Sequence, residues 1–146
     1  MLETILAIAG KPGLFRLVSR GNRSLIVETL DAQKKRMPAF GADKVISLAD
    51  IAMYTDEAEV PLRQVLKSIQ EKENGQKVAL DYRKASKEEL SAFLAEVLPN
   101  YDRDRVYPTD MKKLIQRYNI LVDAGMTDFE EVLRETQGDN IADREA

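Results

Sequence analysis

The chain has 146 residues, 44% hydrophobic and 32% charged, with a formal net charge of −3; this is the length of one ordinary domain or two small ones, in a globular, charge-rich composition. It contains neither Cys nor His. That excludes disulfides, zinc-thiolate sites, redox dithiols and both the Ser-His-Asp and Cys-His nucleophile arrangements, and it removes the usual general base near neutral pH. Carboxylate pairs, lysine Schiff bases and all-oxygen metal sites stay open as a third reading, but the expectation is no enzymatic activity, no metal and no cofactor.

Residues 1–10, MLETILAIAG, carry an early Glu3 and no basic segment, a poor match to a secretory signal. With the missing cysteines this gives a cytoplasmic expectation. The spacing of Leu2, Ile5, Leu6, Ile8 and Ala9 fits a helical turn slightly better than a strand, although a buried strand is compatible with it. Next, Lys11-Pro12-Gly13-Leu14 has Pro and Gly where a type II turn needs them. A strand over 14–19, a tight loop at Gly21-Asn22 and a second strand over 24–30 make a hairpin. Alternation puts Leu14, Arg16 and Val18 on one face of the first strand, with Phe15, Leu17 and Ser19 on the other. In the return strand Glu28, among β-branched neighbours, is expected to reach the rim.

A turn at 31–34 leads to a strand over 35–40 that contains Pro38. Proline cannot donate to a ladder, so this strand belongs at an edge or a bulge. Residues 45–55 (VISLADIAMYT) supply one or two more strands. Short strands at this spacing predict a small SH3-like β-barrel or a bent antiparallel sheet, too small to be comfortable alone.

The rest reads as helical. Asp56 is placed to cap a helix running to about Glu73, with Leu62, Val65, Leu66 and Ile69 as its apolar stripe. Residues 72–77 (KENGQK) are the best linker. Ser86 and Glu89 form a capping box opening a helix with Leu90, Phe93, Leu94 and Val97 inward, which ends at Leu98-Pro99. Thr109 is the expected cap of a third helix, with Met111, Leu114, Ile115, Tyr118, Leu121 and Val122 buried and Gly125 as its stop. Thr127 and Glu130 open a short last helix, and the acidic end from Gln137 is expected to be disordered. The fold class is therefore α+β: a small β domain with its linking helix over 1–73, a helical domain over 78–136 and a tail over 137–146.

Several motifs fail on inspection. Gly10-Lys11 lacks the upstream glycine and the following Ser/Thr of a phosphate loop. Asn100-x-Asp102-x-Asp104 has Arg105 and Met111 where a calcium loop needs Gly and Glu. Glu57/Glu59, Glu88/Glu89 and Glu130/Glu131 lie in predicted first turns, where the helix dipole explains them. The connection of about ten residues between the second and third helices is too long for a helix-turn-helix. Lys112, Lys113 and Arg117 give the third helix a basic face, read as solvated.

Charge is distributed unevenly: residues 1–54 sum to +3 and the remainder to −6. The cations Arg16, Arg20, Arg23, Lys34, Lys35 and Arg36 fall on or beside the hairpin and the edge strand, and small β-barrels present such loops to phosphates. The expectation is a non-enzymatic cytoplasmic binding module whose basic edge contacts nucleic acid or an acidic protein surface. The alternative is a protein–protein adaptor or self-associating scaffold, hence a possible homo-oligomer, using the Pro38 strand or a helical stripe. No membrane partner is expected.

The segments GKPGLFRLVSRGNRSLIVETLD, PAFGADKVISLADIAMYT and NYDRDRVYPTDMKKLIQRYNIL resemble those of a family of bacterial proteins of unknown function. That family joins a small N-terminal β domain to a C-terminal helical domain. The resemblance spans nearly the whole chain except the acidic tail, implies the two-part architecture, and carries no catalytic residues.

Overall fold

A computed structural model describes residues 5–11, 13–40 and 43–133. Its first strand, β1 (Ile5–Ile8), lies between two neighbours and is buried along its whole length. This corrects the helical-turn reading of the N-terminus. A strand covered on both faces is a continuous apolar run, which periodicity alone does not separate from a helix. The type II turn predicted around Pro12 lies partly outside the described residues, while Gly13 does take φ +80°.

The hairpin forms from β2 (Phe15–Gly21) and β3 (Ser24–Thr29), followed by β4 (Arg36–Phe40) and β5 (Val45–Ser47). All pairings are antiparallel and the order is β4-β3-β2-β1-β5, so the Pro38 strand is at an edge as expected. The hairpin loop is Asn22-Arg23 rather than Gly21-Asn22, because Gly21 pairs with Ser24 in the ladder. The sheet does not close into a barrel. It bends instead: Leu6, Ile8, Phe15, Leu25, Val27 and Ala39 are buried together by residues of the same five strands. Among the described residues no other element contributes to this cluster, and on a flat sheet these side chains would face water. Curling hides them, and each aliphatic side chain so buried contributes about 1.5–3 kcal/mol.

The other face, through Ile5, Ala7 and Leu14, packs on the helices. A single 3-10 turn (Leu48–Asp50) leads into β6 (Ala52–Tyr54), which pairs with β7 (Glu59–Pro61) as a separate ribbon. The Asp56-capped helix start is therefore corrected. The Thr55 hydroxyl donates to the Ala58 carbonyl and accepts the Ala58 N–H at 2.9 Å, closing a hairpin turn instead. α1 (Leu62–Lys72) begins after Pro61 and buries the predicted stripe.

α2 (Lys87–Val97) carries the predicted capping box: Glu89 N–H donates to Ser86 Oγ at 3.1 Å and Ser86 N–H to Glu89 Oε1 at 2.9 Å. α3 (Pro108–Asp123) starts one residue before the expected Thr109 cap, with Pro108 in its first turn and Tyr107 N–H donating to Asp110 Oδ2 at 2.9 Å. Proline suits that position, where an N–H has no helical acceptor anyway. Gly125, at φ +74°, ends the helix as predicted. α4 (Phe129–Val132) is capped by Asp128 rather than Thr127. Tyr118, fully buried, donates its hydroxyl to the Gln76 carbonyl at 2.7 Å and lies 5.9 Å from the Phe129 ring. Among the described residues no helix is long and apolar enough to cross a membrane. The expected tail from Gln137 lies outside the described residues.

Candidate binding surfaces

The strand register sorts the six candidate cations. Cross-strand partners share a face of the sheet. Arg16 pairs with Glu28, whereas Arg20 pairs with Leu25, which points into the curled interior side. Strict alternation would have kept 16 and 20 together. The register shift between Leu17 and Ser19 leaves Val18 as an extra residue, and a bulge of one residue reverses every face beyond it. Ser19, opposite Ile26, consequently shares a face with Arg16, and Arg20 does not.

Glu28 does not reach the rim. It is 7% exposed, lies on the face turned toward α3, and accepts from Arg16 Nη2 and, at 3.5 Å, from Arg36 Nε. A carboxylate buried alone would carry a heavy desolvation penalty, and two guanidinium groups relieve it through charge-assisted hydrogen bonds. The Arg16 hydrogen bond is the largest influence holding the Glu28 carboxyl below the usual range; burial opposes it, and the charges of Arg16 and Arg36 reinforce it. Arg16 is thus part of the internal pairing, while Arg36 keeps most of its side chain in solvent.

The remaining four sit at the two ends of the hairpin. Arg20 and Arg23 are exposed at the β2–β3 end, and Lys34 and Lys35 are exposed in the β3–β4 turn. None of the four forms an ion pair among the described residues. The six-residue β3 between the two ends spans about 20 Å at 3.3 Å per residue. The structure therefore brings these cations together as two pairs rather than as one patch.

Two of them occupy unusual backbone positions. Arg23 (φ 61°) and Lys34 (φ 46°) join Asn74 (φ 55°) as the non-glycine residues with positive φ among those described. Asn tolerates this region, whereas long side chains bear a cost of about 1–2 kcal/mol there. The Lys34 turn is held by Asp31, whose Oδ1 accepts from Thr29 Oγ1 at 2.8 Å, Gln33 N–H at 3.0 Å and Lys34 N–H at 3.1 Å. These bonds, led by that of Thr29, hold the Asp31 carboxyl low. Behind this turn a cleft of about 800 Å³ runs to the end of α3, lined by Arg16, Glu28, Asp31, Lys34, Asp123 and Met126 among others. Its mixed charges do not single out one ligand class.

The outer edge of β4 is blunted. Pro38 has no N–H, and Phe40, two residues on and so directed the same way, donates its N–H to Asp43 Oδ2 at 2.8 Å. Proline and side-chain capping of this kind discourage strand addition. In the loop before α3, Arg105 Nε holds Asp102 Oδ2 at 2.8 Å, and Arg103 Nη1 donates to the Pro99 and Tyr101 carbonyls at 2.9 and 2.7 Å. The arginines interleaved with the acids there bind the loop to itself. Among the described residues no group of three or more acidic side chains is gathered as a metal would require.

Two family models match the chain: domain of unknown function DUF5606 over residues 2–48, and domain of unknown function DUF6852 over residues 51–121. The second range takes in β6, β7, α1, α2 and most of α3. The chain is also similar to a protein from Bacteroides vulgatus whose structure was solved by solution NMR. The two are 64% identical over 90% of this chain and 93% of that one, with a TM-score of 0.74. Among curated proteins none matches.

Proposed function

The chain belongs to the bacterial family that joins these two domains of unknown function, and from that premise we propose that it is a non-enzymatic binding module contacting nucleic-acid phosphates. The contacts come from Arg20 and Arg23 at one end of the hairpin and Lys34 and Lys35 at the other. The observation that carries this reading is the placing of Arg23 and Lys34 at positive φ. Glycine or asparagine would suit both turns better, and long cationic side chains standing against backbone preference point to a role outside the fold. A separation of about 20 Å is roughly the axial rise of six base pairs of a duplex at 3.4 Å each. An extended polyanion meets both pairs at once, and a small anion cannot.

Fluorescence anisotropy with a labelled 20-base-pair duplex and a 20-nucleotide single strand tests this. Four phosphate contacts give a slope of about −3.6 in log K against log salt, so affinity for the duplex falls about a hundredfold between roughly 50 and 200 mM salt. Replacing Arg20, Arg23, Lys34 and Lys35 by Ala abolishes binding without lowering the melting temperature. Absence of binding to either oligomer at low salt refutes the proposal, as does a quadruple variant that binds normally.

A further inference from the structure

Away from the sheet, a smaller pocket opens between β6 and the first ten residues of α3. Its volume is about 150 Å³, and its apolar floor includes Ile51, Met53, Leu62, Val106 and Leu114. Three cations line it, Arg105, Lys113 and Arg117, against the single carboxylate of Asp110. Asp110, Lys113, Leu114 and Arg117 are spaced i, i+3, i+4, i+7 and so share one stripe of α3.

The walls are held in place. Asp102 N–H donates to the Tyr54 carbonyl at 2.9 Å, and Asp56 N–H to the Asn100 carbonyl at 3.0 Å, tying the loop before α3 to the ribbon. Arg105 is pinned by Asp102 and lies 4.2 Å over the Tyr54 ring. Arg117 differs. It is half-buried and makes no hydrogen bond or ion pair among the described residues. Burial pushes its guanidinium pKa down, and Asp110 only partly opposes this. The Asp110 carboxylate is itself engaged in accepting the Tyr107 N–H. A guanidinium partly withdrawn from water, with no protein acceptor among the described residues, gains when an anion meets it.

We propose that this pocket binds an organic carboxylate on a short apolar stem, the carboxylate seated between Arg117 and Lys113 and the stem on the Leu62–Leu114 floor. A cavity of this size holds a group about as large as benzene, which sets the stem at about four to six carbons. The planar fork of an arginine suits a carboxylate in two-point contact. Two sources supply the same chemistry: a free branched or straight-chain acid, and the C-terminal residue of a polypeptide ending in an aliphatic side chain.

The test is titration of the full-length, 15N-labelled protein with 4-methylpentanoate, 4-methylpentanamide and acetate, followed by heteronuclear NMR. A peptide ending in Leu is added in parallel, with its C terminus free or amidated. The expected result is saturable shifts at Arg105, Lys113, Leu114 and Arg117 with 4-methylpentanoate, and binding at least tenfold weaker for the amide and for acetate. Arg117→Gln weakens binding at least tenfold while leaving the melting temperature equal or higher, and Lys113→Gln, on the exposed rim, weakens it less. Tighter binding of the free-acid peptide than of 4-methylpentanoate assigns the source to a protein C terminus, and the reverse order to a small acid. Equal affinity for acid and amide overturns the proposal, as do shifts confined to other residues or an Arg117→Gln variant that binds unchanged.

Discussion

Replacing Arg23 and Lys34 together by glycine separates the stability of the fold from its proposed task. Each residue now stands at positive φ, at a cost of about 1–2 kcal/mol for a side chain with a β-carbon. Glycine removes that strain but loses roughly 0.5–1 kcal/mol through its extra freedom in the unfolded chain. The net gain is about 0.5–1 kcal/mol at each site. The two turns lie about 20 Å apart and share no partner, so the gains add to about 1–2 kcal/mol. For a chain of this size that raises the melting temperature by roughly 2–6 °C, readable by circular dichroism and, independently, by the urea midpoint. On the proposed function, duplex affinity in the same preparation falls severalfold, because two of the four proposed phosphate contacts are gone. A double variant that melts lower than the parent refutes the strain argument. One that gains stability and binds as before leaves the two turns without the role assigned to them.

Three further outcomes follow from the internal contacts. Glu28, Asp31 and Asp102 all have folded-state pKa values lowered, chiefly by the Arg16, Thr29 and Arg105 hydrogen bonds respectively. Their stabilisation is therefore fully present above the unfolded values of about 4 and is lost as pH falls through the lower folded ones. Urea midpoints measured from pH 7 down to pH 2 should drop steeply at the acid end, and Glu28→Gln should lower the pH 7 midpoint while flattening that drop; an unchanged profile would contradict the pairing. Ser86→Ala removes the α2 cap and costs about 1 kcal/mol, measured as a shift in the urea midpoint without a change of slope. Tyr118→Phe leaves the Gln76 carbonyl without its donor at a cost of about 1–2 kcal/mol, and hydrogen exchange in the 74–78 turn should speed up with it.

The parts legible in the sequence are those written by neighbours in the chain. The Ser86/Glu89 box, the Gly125 stop, the Pro38 edge and the stripes of α1 to α3 each depend on residues within a turn or two of one another. What escaped depends on distant partners. β1 is four apolar residues whose identity as a strand comes from β2 and β5 on either side. β7 follows from the Thr55 turn, which converts an expected helix start into a hairpin. The pocket under Arg117 gathers residues from 51 to 117, and Lys113 with Arg117 looked like an ordinary wet face until β6 was laid beside it. Glu28 was misplaced for the same reason: its partners Arg16 and Arg36 come from the strands on either side, and its face lines a cleft whose other wall is the end of α3, almost a hundred residues away.

The single inserted residue Val18 has the widest consequence for function. A count of charges along the first 54 residues treats them as a field of one sign, but a contact surface depends on direction as well as number. With regular alternation Arg16 and Arg20 would have pointed together, and the hairpin would carry one basic face. The bulge turns Arg20 away, and Glu28 then claims Arg16 and one nitrogen of Arg36. What the hairpin leaves exposed is a pair of cations near each end, two of the four standing in turns that the backbone alone would not choose. If the proposed contacts form, such spacing discriminates by length: a short anion meets one pair, a long one meets both, and the difference in affinity between duplexes shorter and longer than about six base pairs measures how far the two pairs act together.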